Sequence, residues 1–308
     1  MTYINRHLAI SGLDRYSQSR TDLFPEAEAT VFKNLLVHIP SERSLRAIVD
    51  GAVSLAMNSS SHIDAISIGY EATVISIPAI GDNMLDATIK DEQRKAIERA
   101  EAALAVFEVE AKLAGITYNC RSVSALPDEA LNTICAASRL YDLSVVLQPE
   151  ADKDTFDNTI PQEILFQSGG PVLFIPHTHS RPISPKRIGI AWDGSRLAAR
   201  ALRDAMPFLH QAQTIAIVSV DEGRLVPTDL STATVIAHLA RRRLQGSAIH
   251  LTADDTDIAQ LILSVAADEG LDLMVMGGYG HSRLKERFLG GVTRGMLQSM
   301  TLPTLMSH

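Results

Sequence analysis

Cysteine, long apolar runs and excess positive charge are all scarce in this chain of 308 residues. Its two cysteines, Cys120 and Cys135, lie in apolar or strand-like surroundings without C-x-x-C spacing, which favours free thiols in a reducing compartment. No apolar run reaches the roughly 18 residues of a membrane span. The first 20 residues also lack the apolar core of a secretion signal. Together these absences predict a cytoplasmic protein with no membrane partner.

The charge is acidic and unevenly distributed. The chain holds 28 Lys and Arg against 36 Asp and Glu, a net charge of −8. Residues 183–308 contain 13 basic and 12 acidic side chains, so most of the negative charge lies before them. An acidic chain argues against nucleic acid as a partner, and the balanced second part is the more hospitable one for an anionic ligand.

Several common catalytic and metal-binding motifs are absent from the sequence. It has no G-x4-G-K-(S/T) loop, no G-x-S-x-G elbow and no pair of histidines at helical metal-ligand spacing. Asp254, Asp255 and Asp257 precede a predicted helix, where capping explains them. We therefore assign no catalytic residue and no metal ligand.

The chain does contain an internal repeat in which apolar strands alternate with helices. The predicted strands are 33–39, 63–68, 116–123, 141–147 and 171–176, then 186–192, 214–220, 247–252, 271–276 and 303–306. The predicted helices are 42–58, 84–114 and 127–140, then 195–209, 229–245 and 256–269. This alternation predicts an α/β fold of two tandem doubly wound parallel-sheet domains.

The domain boundary falls in residues 177–185, which are rich in Pro, Ser and His. We assign residues 31–178 to the first domain and residues 183–308 to the second. Residues 1–30 are polar and form an N-terminal extension.

Two glycine clusters follow the apolar strand 271–276. They are Gly-Gly-Tyr-Gly at 277–280 and, nine residues later, Gly-Gly-Val-Thr at 290–293, directly before an apolar helical face. Glycines let the backbone approach a ligand and turn its amides inward, and a helix N-terminus adds partial positive charge. The pattern predicts a phosphate cradle.

This spacing resembles the G-x2-G-x9-G-(S/T) nucleotide-binding signature of the universal stress protein family. Gly277, Gly280 and Gly290 fall on the three family glycines, while Gly291 stands where the family has Ser or Thr. Either Thr293 supplies the missing hydroxyl or phosphate binding is weaker. With the internal repeat, the resemblance covers residues 31–308 and points to the tandem, two-domain type.

The resemblance implies Rossmann-like, adenine nucleotide alpha hydrolase-like domains that bind ATP or a related adenine nucleotide, with Mg²⁺ as its companion ion. Asp193 inherits the family's contact to adenosine, and the backbone around Val218 and Val220 would face adenine. The nucleotide-binding set is Asp193, Val218, Val220, Gly277, Gly280, His281, Arg283, Gly290, Gly291, Val292 and Thr293.

Each of these assignments has a structural alternative. Asp193 is equally suited to capping the following helix, and Val218 and Val220 to ordinary strand core. Trp192 is more typical of a core residue than of a base-stacking one. The basic loop of His281, Arg283, Lys285 and Arg287, and the Arg241–Arg243 run late in a predicted helix, are both consistent with solvated surface.

The first domain is predicted to have lost the site. Glu150, Asp152 and Asp154 stand where the cradle would be, and like charge repels a triphosphate. The counterpart of Asp193 falls near Pro40. The resemblance implies an intramolecular pseudo-dimer in which the closing strands 171–176 and 303–306 meet, and it leaves a further homodimer open.

Three functions remain open on the sequence alone. The chain is a stress-response protein that binds an adenine nucleotide in the second domain, a slow ATP hydrolase built on the same site, or an interaction protein that binds no nucleotide.

Overall fold

Strands and helices alternate along the chain, as the sequence predicts. The computed structural model describes residues 31–71, 82–221, 227–253, 257–279 and 291–308, with only the helical backbone of 82–86. In residues 31–178, here the first half, the elements are β1 (Asn34–His38), α1 (Arg46–Ser59), β2 (His62–Tyr70), α2 (Asp82–Ala114), β3 (Tyr118–Ala125), α3 (Pro127–Ser138), β4 (Leu143–Leu147), α4 (Ile160–Gln167) and β5 (Val172–Ile175).

Residues 183–308, here the second half, repeat this order. The elements are β6 (Arg187–Ala191), α5 (Arg196–Asp204), α6 (Met206–Leu209), β7 (Thr214–Asp221), α7 (Thr232–Ala240), β8 (Gly246–Thr252), α8 (Ile258–Asp268), β9 (Leu273–Gly277), α9 (Val292–Ser299) and β10 (Thr304–Ser307).

All ten strands join one sheet in the order β3-β2-β1-β4-β5-β10-β9-β6-β7-β8. Within each half the strands pair in parallel, whereas β5 and β10 pair antiparallel with Leu173 opposite Leu305. The closing strands therefore meet as the sequence predicts, and they merge the two parallel sheets into one. The α/β fold class is confirmed, while the domain boundary within residues 178–183 stays a prediction.

The sheet is covered on both faces, which explains the continuous apolar strands. Every residue of β4, β5 and β10 is buried. One core layer takes side chains from α1, α2, α5, α6 and α7, and the other from α3, α4, α8 and α9. Cys135 is buried, Cys120 is half-buried, and both are free thiols. Even α2, with 33 residues, is too polar to cross a membrane, and no other helix in the described residues fits that role.

An aspartate ties the first and fourth strands together in both halves. Asp272, just before β9, accepts the backbone N–H groups of Lys186 and Arg187 at 2.9–3.0 Å. Asp142, just before β4, does the same for residues 33–34 at 2.8–2.9 Å. The repeated contact fixes the register of the neighbouring strands, and it shows the internal repeat at the level of single hydrogen bonds.

The helices differ from their predicted bounds for local reasons. Helix α1 begins at Arg46 rather than at 42, because residues 41–43 make contacts in the loop before it. The predicted helix 195–209 divides at Ala205, just before Pro207, whose ring cannot continue an α-helix. Helix α4 was not predicted at all.

The Arg241–Arg243 run was wrongly placed inside a helix. Helix α7 ends at Ala240, and the three arginines form an exposed turn in which Arg243 has a φ of 62°. The three arginines are exposed, which agrees with their interpretation as solvated surface residues.

Replacing Asp272 with Ala should destabilise the protein by about 1–3 kcal/mol, because two backbone N–H groups lose their acceptor. Asp142→Ala should cost a similar amount. Urea unfolding of both variants measures this. The control Asp268→Ala, at an exposed position late in α8, should stay within about 0.5 kcal/mol of the parent. Equal stability of Asp272→Ala and this control would contradict the anchoring role.

Candidate functional site

The candidate site lies where the chain direction of the second half reverses in the sheet. From β6 the chain moves outward to β7 and β8, then returns to β9 on the other side of β6. In such sheets, ligands bind at the carboxyl ends of the strands beside this switch point. Ile190 pairs with Val275. Asp193 and Gly278 therefore lie the same number of residues beyond that pair, at the predicted edge.

Asp193 begins a tight turn between β6 and α5. Its Oδ1 accepts the backbone N–H of Ser195 at 2.9 Å, and Gly194 has a φ of 74°. The helix cap is Ser195, whose hydroxyl accepts the N–H of Ala198 at 3.1 Å. Ser195 rather than Asp193 therefore caps α5. The Asp193 carboxylate stabilises the turn before the helix and is exposed to solvent.

Gly277 allows β9 to approach the first turn of α5 closely. A Cβ at this position would lie 2.8 Å from the backbone N of Ala198 and from the carbonyl carbon of Leu197. A Cβ on Gly278 would lie 2.9 Å from a methyl group of Leu165, in helix α4 of the first half. The first glycines of the motif thus serve close packing, in addition to any contact with a ligand.

Thr293 holds the residue that follows these glycines. Its Oγ1 accepts the backbone N–H of Tyr279 at 3.0 Å, and Tyr279 adopts a left-handed φ of 54°. Thr293 itself is buried in the first turn of α9. Its hydroxyl therefore supports the turn at the start of the cradle.

Helix α9 starts without a side-chain cap. Among the described residues of the second half, the other helices that exceed one turn, α5, α7 and α8, are capped by Ser195, Ser231 and Asp257. The N-cap of α9 is Gly291, which has no side chain to offer its amides. Uncapped N–H groups and the helix dipole make this end suited to an anion.

The two valines of the candidate site are strand residues. Val218 is buried, and its carbonyl accepts the N–H of Trp192 at 2.8 Å. Val220 is half-buried against the second core layer. Trp192 is also a core residue, with its indole N–H donated to the Leu230 carbonyl at 2.7 Å. These contacts favour the strand-core interpretation of Val218, and its adenine contact stays a prediction.

Part of the predicted site lies outside the described residues. These positions are Gly280, His281, Arg283, Lys285, Arg287 and Gly290. Asp254 and Asp255 also lie outside, whereas Asp257 is described and caps α8 by accepting the Ala259 N–H at 2.8 Å. Within the part of the chain that the structure describes, no three metal-ligating side chains come together.

The corresponding crevice of the first half is filled by its own side chains. The buried Arg43 guanidinium donates to Glu150 at 3.0 Å, to Asn158 Oδ1 at 2.8 Å and to the Gln148 carbonyl at 2.5 Å. Asn158 in turn donates to the carbonyl of Glu150 at 2.8 Å. Burial alone raises the pKa of Glu150, but Lys153 and Arg43 outweigh it and hold that pKa below its usual value.

A second buried polar group lies beside this network. Asp157, 1% exposed, accepts the Tyr70 hydroxyl at 3.0 Å and the Glu42 N–H at 2.9 Å, with His38 Nε2 3.5 Å away. Burial raises the pKa of Asp157 despite these hydrogen bonds. Burial, aided by the charge of Arg43, lowers the pKa of His38 to about 3, so His38 is neutral and forms no ion pair.

Sequence analysis identified the acidic residues of this crevice but missed their partners. Arg43 is 107 residues from Glu150 in sequence, and Asn158 follows Glu150 after a loop. Only the fold brings the three residues together. Asp152 and Asp154 are exposed rather than part of the buried network. The sequence signal that was available is Arg43 itself, a cation in the loop after the first strand.

Comparisons with known proteins agree with this geometry. Strand order and crevice define each half as a doubly wound, Rossmann-like α/β unit. Residues 185–308 match the model of the Universal stress protein family. The second half of the chain is therefore similar to a universal stress protein domain.

Similar proteins include a curated relative and solved structures. Universal stress protein MJ0577 of Methanocaldococcus jannaschii is 40% identical over 45 residues, which span 15% of this chain and 28% of that protein. A universal stress protein structure from Archaeoglobus fulgidus has a TM-score of 0.66 and 17% identity over 88% of this chain and 97% of its own. A putative universal stress protein from Pseudomonas aeruginosa gives 0.54 and 16% over 90% and 93%. At these identities the structures show the shared fold.

Gly277→Ala should destabilise the protein by about 1–3 kcal/mol, since the new methyl group meets backbone atoms that cannot turn away. Thermal or urea unfolding measures the loss. Gly170→Ala is the matched control, because its Cβ would have its nearest neighbour, the Tyr141 carbonyl oxygen, at 3.7 Å. Equal stability of the two variants would show that β9 and α5 can separate without cost.

The buried His38 should make the protein sensitive to mild acid. Its pKa is near 3 in the fold and near 6.5 in the unfolded chain. The contribution of the neutral His38 to the free energy of unfolding is therefore complete above pH 6.5 and is lost as the pH falls below that value. The loss should approach about 1.4 kcal/mol per pH unit. His38→Met should remove this slope between pH 6.5 and 5 in urea unfolding.

The exposed His210→Gln serves as the control and should keep the parent slope. Asp157, whose pKa is raised, contributes with the opposite sign and is present in all three proteins. A parent protein and His38→Met with the same slope would contradict a neutral, buried His38.

Proposed function

We propose that the chain is a stress-response protein whose second half binds an adenine nucleotide, ATP in the first instance, between the ends of β6 and β9. The observation that carries the proposal is the juxtaposition of Asp193 with the Gly277–Tyr279 turn at the switch point. The match of residues 185–308 to the universal stress protein family supports it.

The roles follow from charge and geometry. The exposed Asp193 carboxylate can accept hydrogen bonds from ribose hydroxyls, which are donors. The uncapped first turn of α9 offers the N–H groups that phosphate oxygens accept. Gly280, His281, Arg283 and Gly290, all outside the described residues, complete the proposed cradle. Mg²⁺ enters as the companion of ATP.

The first half is proposed to bind no nucleotide. Its crevice already contains Arg43, whose guanidinium has Glu150, Asn158 and the Gln148 carbonyl as acceptors. A phosphate would have to displace these acceptors and then face the Glu150 carboxylate. The intramolecular pseudo-dimer therefore has one binding site per chain.

A second candidate is an interaction protein that binds no nucleotide. It is favoured by Gly291, which replaces the hydroxyl residue of the motif, and by the position of Thr293. The Thr293 hydroxyl is buried and already accepts the Tyr279 N–H, which leaves it one donor and one further acceptor site. The two candidates make opposite predictions for the same titration.

Calorimetric titration with ATP, with and without magnesium, should show about one site per chain. Asp193→Asn should weaken binding about three- to tenfold by removing one charged acceptor, and Thr293→Val should weaken it by a similar factor by releasing the turn. Asp268→Asn, a carboxylate late in α8 and before β9, is the matched control and should bind as the parent does.

Each outcome separates the candidates. If the parent binds ATP and Asp193→Asn binds it with the same affinity, the nucleoside does not contact Asp193 at the end of β6. No heat and no thermal shift with millimolar ATP would overturn the nucleotide proposal and leave the interaction protein as the supported function.

A further inference from the structure

The start of the glycine turn is in contact with the first half. Tyr279 packs against Phe166 of α4 with ring centroids 4.8 Å apart and planes tilted by 40°. The Leu165 side chain lies against Gly278, with a methyl group 2.9 Å from where a Cβ would be. Two consecutive residues of the turn therefore touch two consecutive residues of the other half's last helix.

A second link crosses between the halves at the same place. Arg200 of α5 donates to the Gly169 carbonyl, in the turn after α4, and to the His308 carbonyl at 2.8 Å. His308 Nδ1 lies 3.0 Å from the Gly278 carbonyl oxygen, and its ring meets Phe166 edge-on at 4.9 Å. Phe166 is thus in contact with Tyr279 itself and with His308, which lies beside the Gly278 carbonyl.

The opposite half makes the reciprocal contact. After β4, Gln148 donates its side-chain N–H to the Leu297 carbonyl in α9 at 2.8 Å. The backbone of Gln148 is hydrogen-bonded like that of Gly278. The Gln148 N–H donates to the Ile175 carbonyl, and the Gly278 N–H donates to the Ser307 carbonyl. The last helix of each half therefore supports the chain just after the fourth strand of the other.

We infer that Phe166 is a positioning residue for the nucleotide site, so that the first half, which binds no nucleotide itself, sets the affinity of the second. This inference rests on the function proposed above. Phe166 acts through Tyr279, the residue directly before Gly280 of the proposed cradle, whose backbone adopts a left-handed φ.

Two interactions confine Tyr279 to that conformation. The Thr293 hydroxyl holds its N–H from within the second half, and the Phe166 ring packs on its side chain from the first. A residue other than glycine rarely adopts a left-handed φ unless its surroundings hold it there. Without the Phe166 ring, the turn should sample other conformations, and only a fraction of molecules would present the binding-competent one.

Phe166→Ala should therefore weaken ATP binding about threefold to tenfold, the equilibrium equivalent of one aromatic pair. Phe166→Tyr, which keeps the ring, should bind as the parent does. Hydrogen–deuterium exchange without nucleotide gives a second readout, in which Phe166→Ala should speed exchange at the Tyr279 amide.

Phe156→Ala is the matched control. Phe156 is an aromatic residue of the first half whose ring partner, Tyr70 at 5.4 Å, lies in that same half. This variant should keep both the parent affinity and the parent exchange at Tyr279. Thermal unfolding of all variants separates a loosened turn from a general loss of structure.

The outcomes distinguish this inference from the proposed function. If the parent binds ATP and Phe166→Ala binds equally well with unchanged exchange at Tyr279, the inference is overturned and the nucleotide site stands. If Phe156→Ala and Phe166→Ala weaken binding alike, the effect is general destabilisation and the inference is again overturned. A parent that binds no ATP overturns both.

Discussion

The antiparallel pairing of β5 with β10 is the contact on which the rest of the structure depends. Each half alone would be a five-stranded parallel sheet with a fully buried apolar strand at its edge, an arrangement that invites association. Pairing Leu173 with Leu305 covers both edges at once and builds one ten-stranded sheet. Because the pairing is antiparallel, the two crevices are related by an approximate two-fold axis, and each last helix reaches the other half.

The two halves share one topology but differ at the crevice. Strand order and the aspartate anchors Asp142 and Asp272 agree in both halves. In the second half β9 ends in Gly277 and is followed by Gly278, and a Cβ at either position would meet α5 or Leu165. In the first, the chain after β4 continues with Gln148 and Glu150, both of which accept hydrogen bonds from the buried Arg43. A buried ion pair contributes little net stability, so its effect here is to fill this end of the first half with side chains.

Periodicity and repetition were sufficient to predict the fold. Apolar strands such as 143–147 and 273–276 recur with the same aspartate before them, and a parallel sheet is the arrangement that buries such strands on both faces. Pairing of the closing strands followed from the resemblance. Sequence analysis missed helix α4, although Pro161 and Glu163 stand in its first turn and Gly169 follows its end with a φ of 76°. It also missed the Thr293 contact with Tyr279, which depends on long-range packing. The place of Asp193 just beyond β6 was predicted because strand ends are predictable, whereas the partners of Arg43 needed the three-dimensional fold.

Two halves in one chain can diverge in a way that separate identical subunits cannot. In separate subunits, every sequence change appears in both copies. In one chain the partner is always present at a fixed effective concentration, so the halves can change independently. The first half contacts its neighbour through Leu165 and Phe166 of α4 and through Gln148, which reaches α9, beside its own buried pair of Arg43 and Glu150. Under the proposed function, a half that binds no nucleotide would thus still be constrained by the nucleotide site of the other.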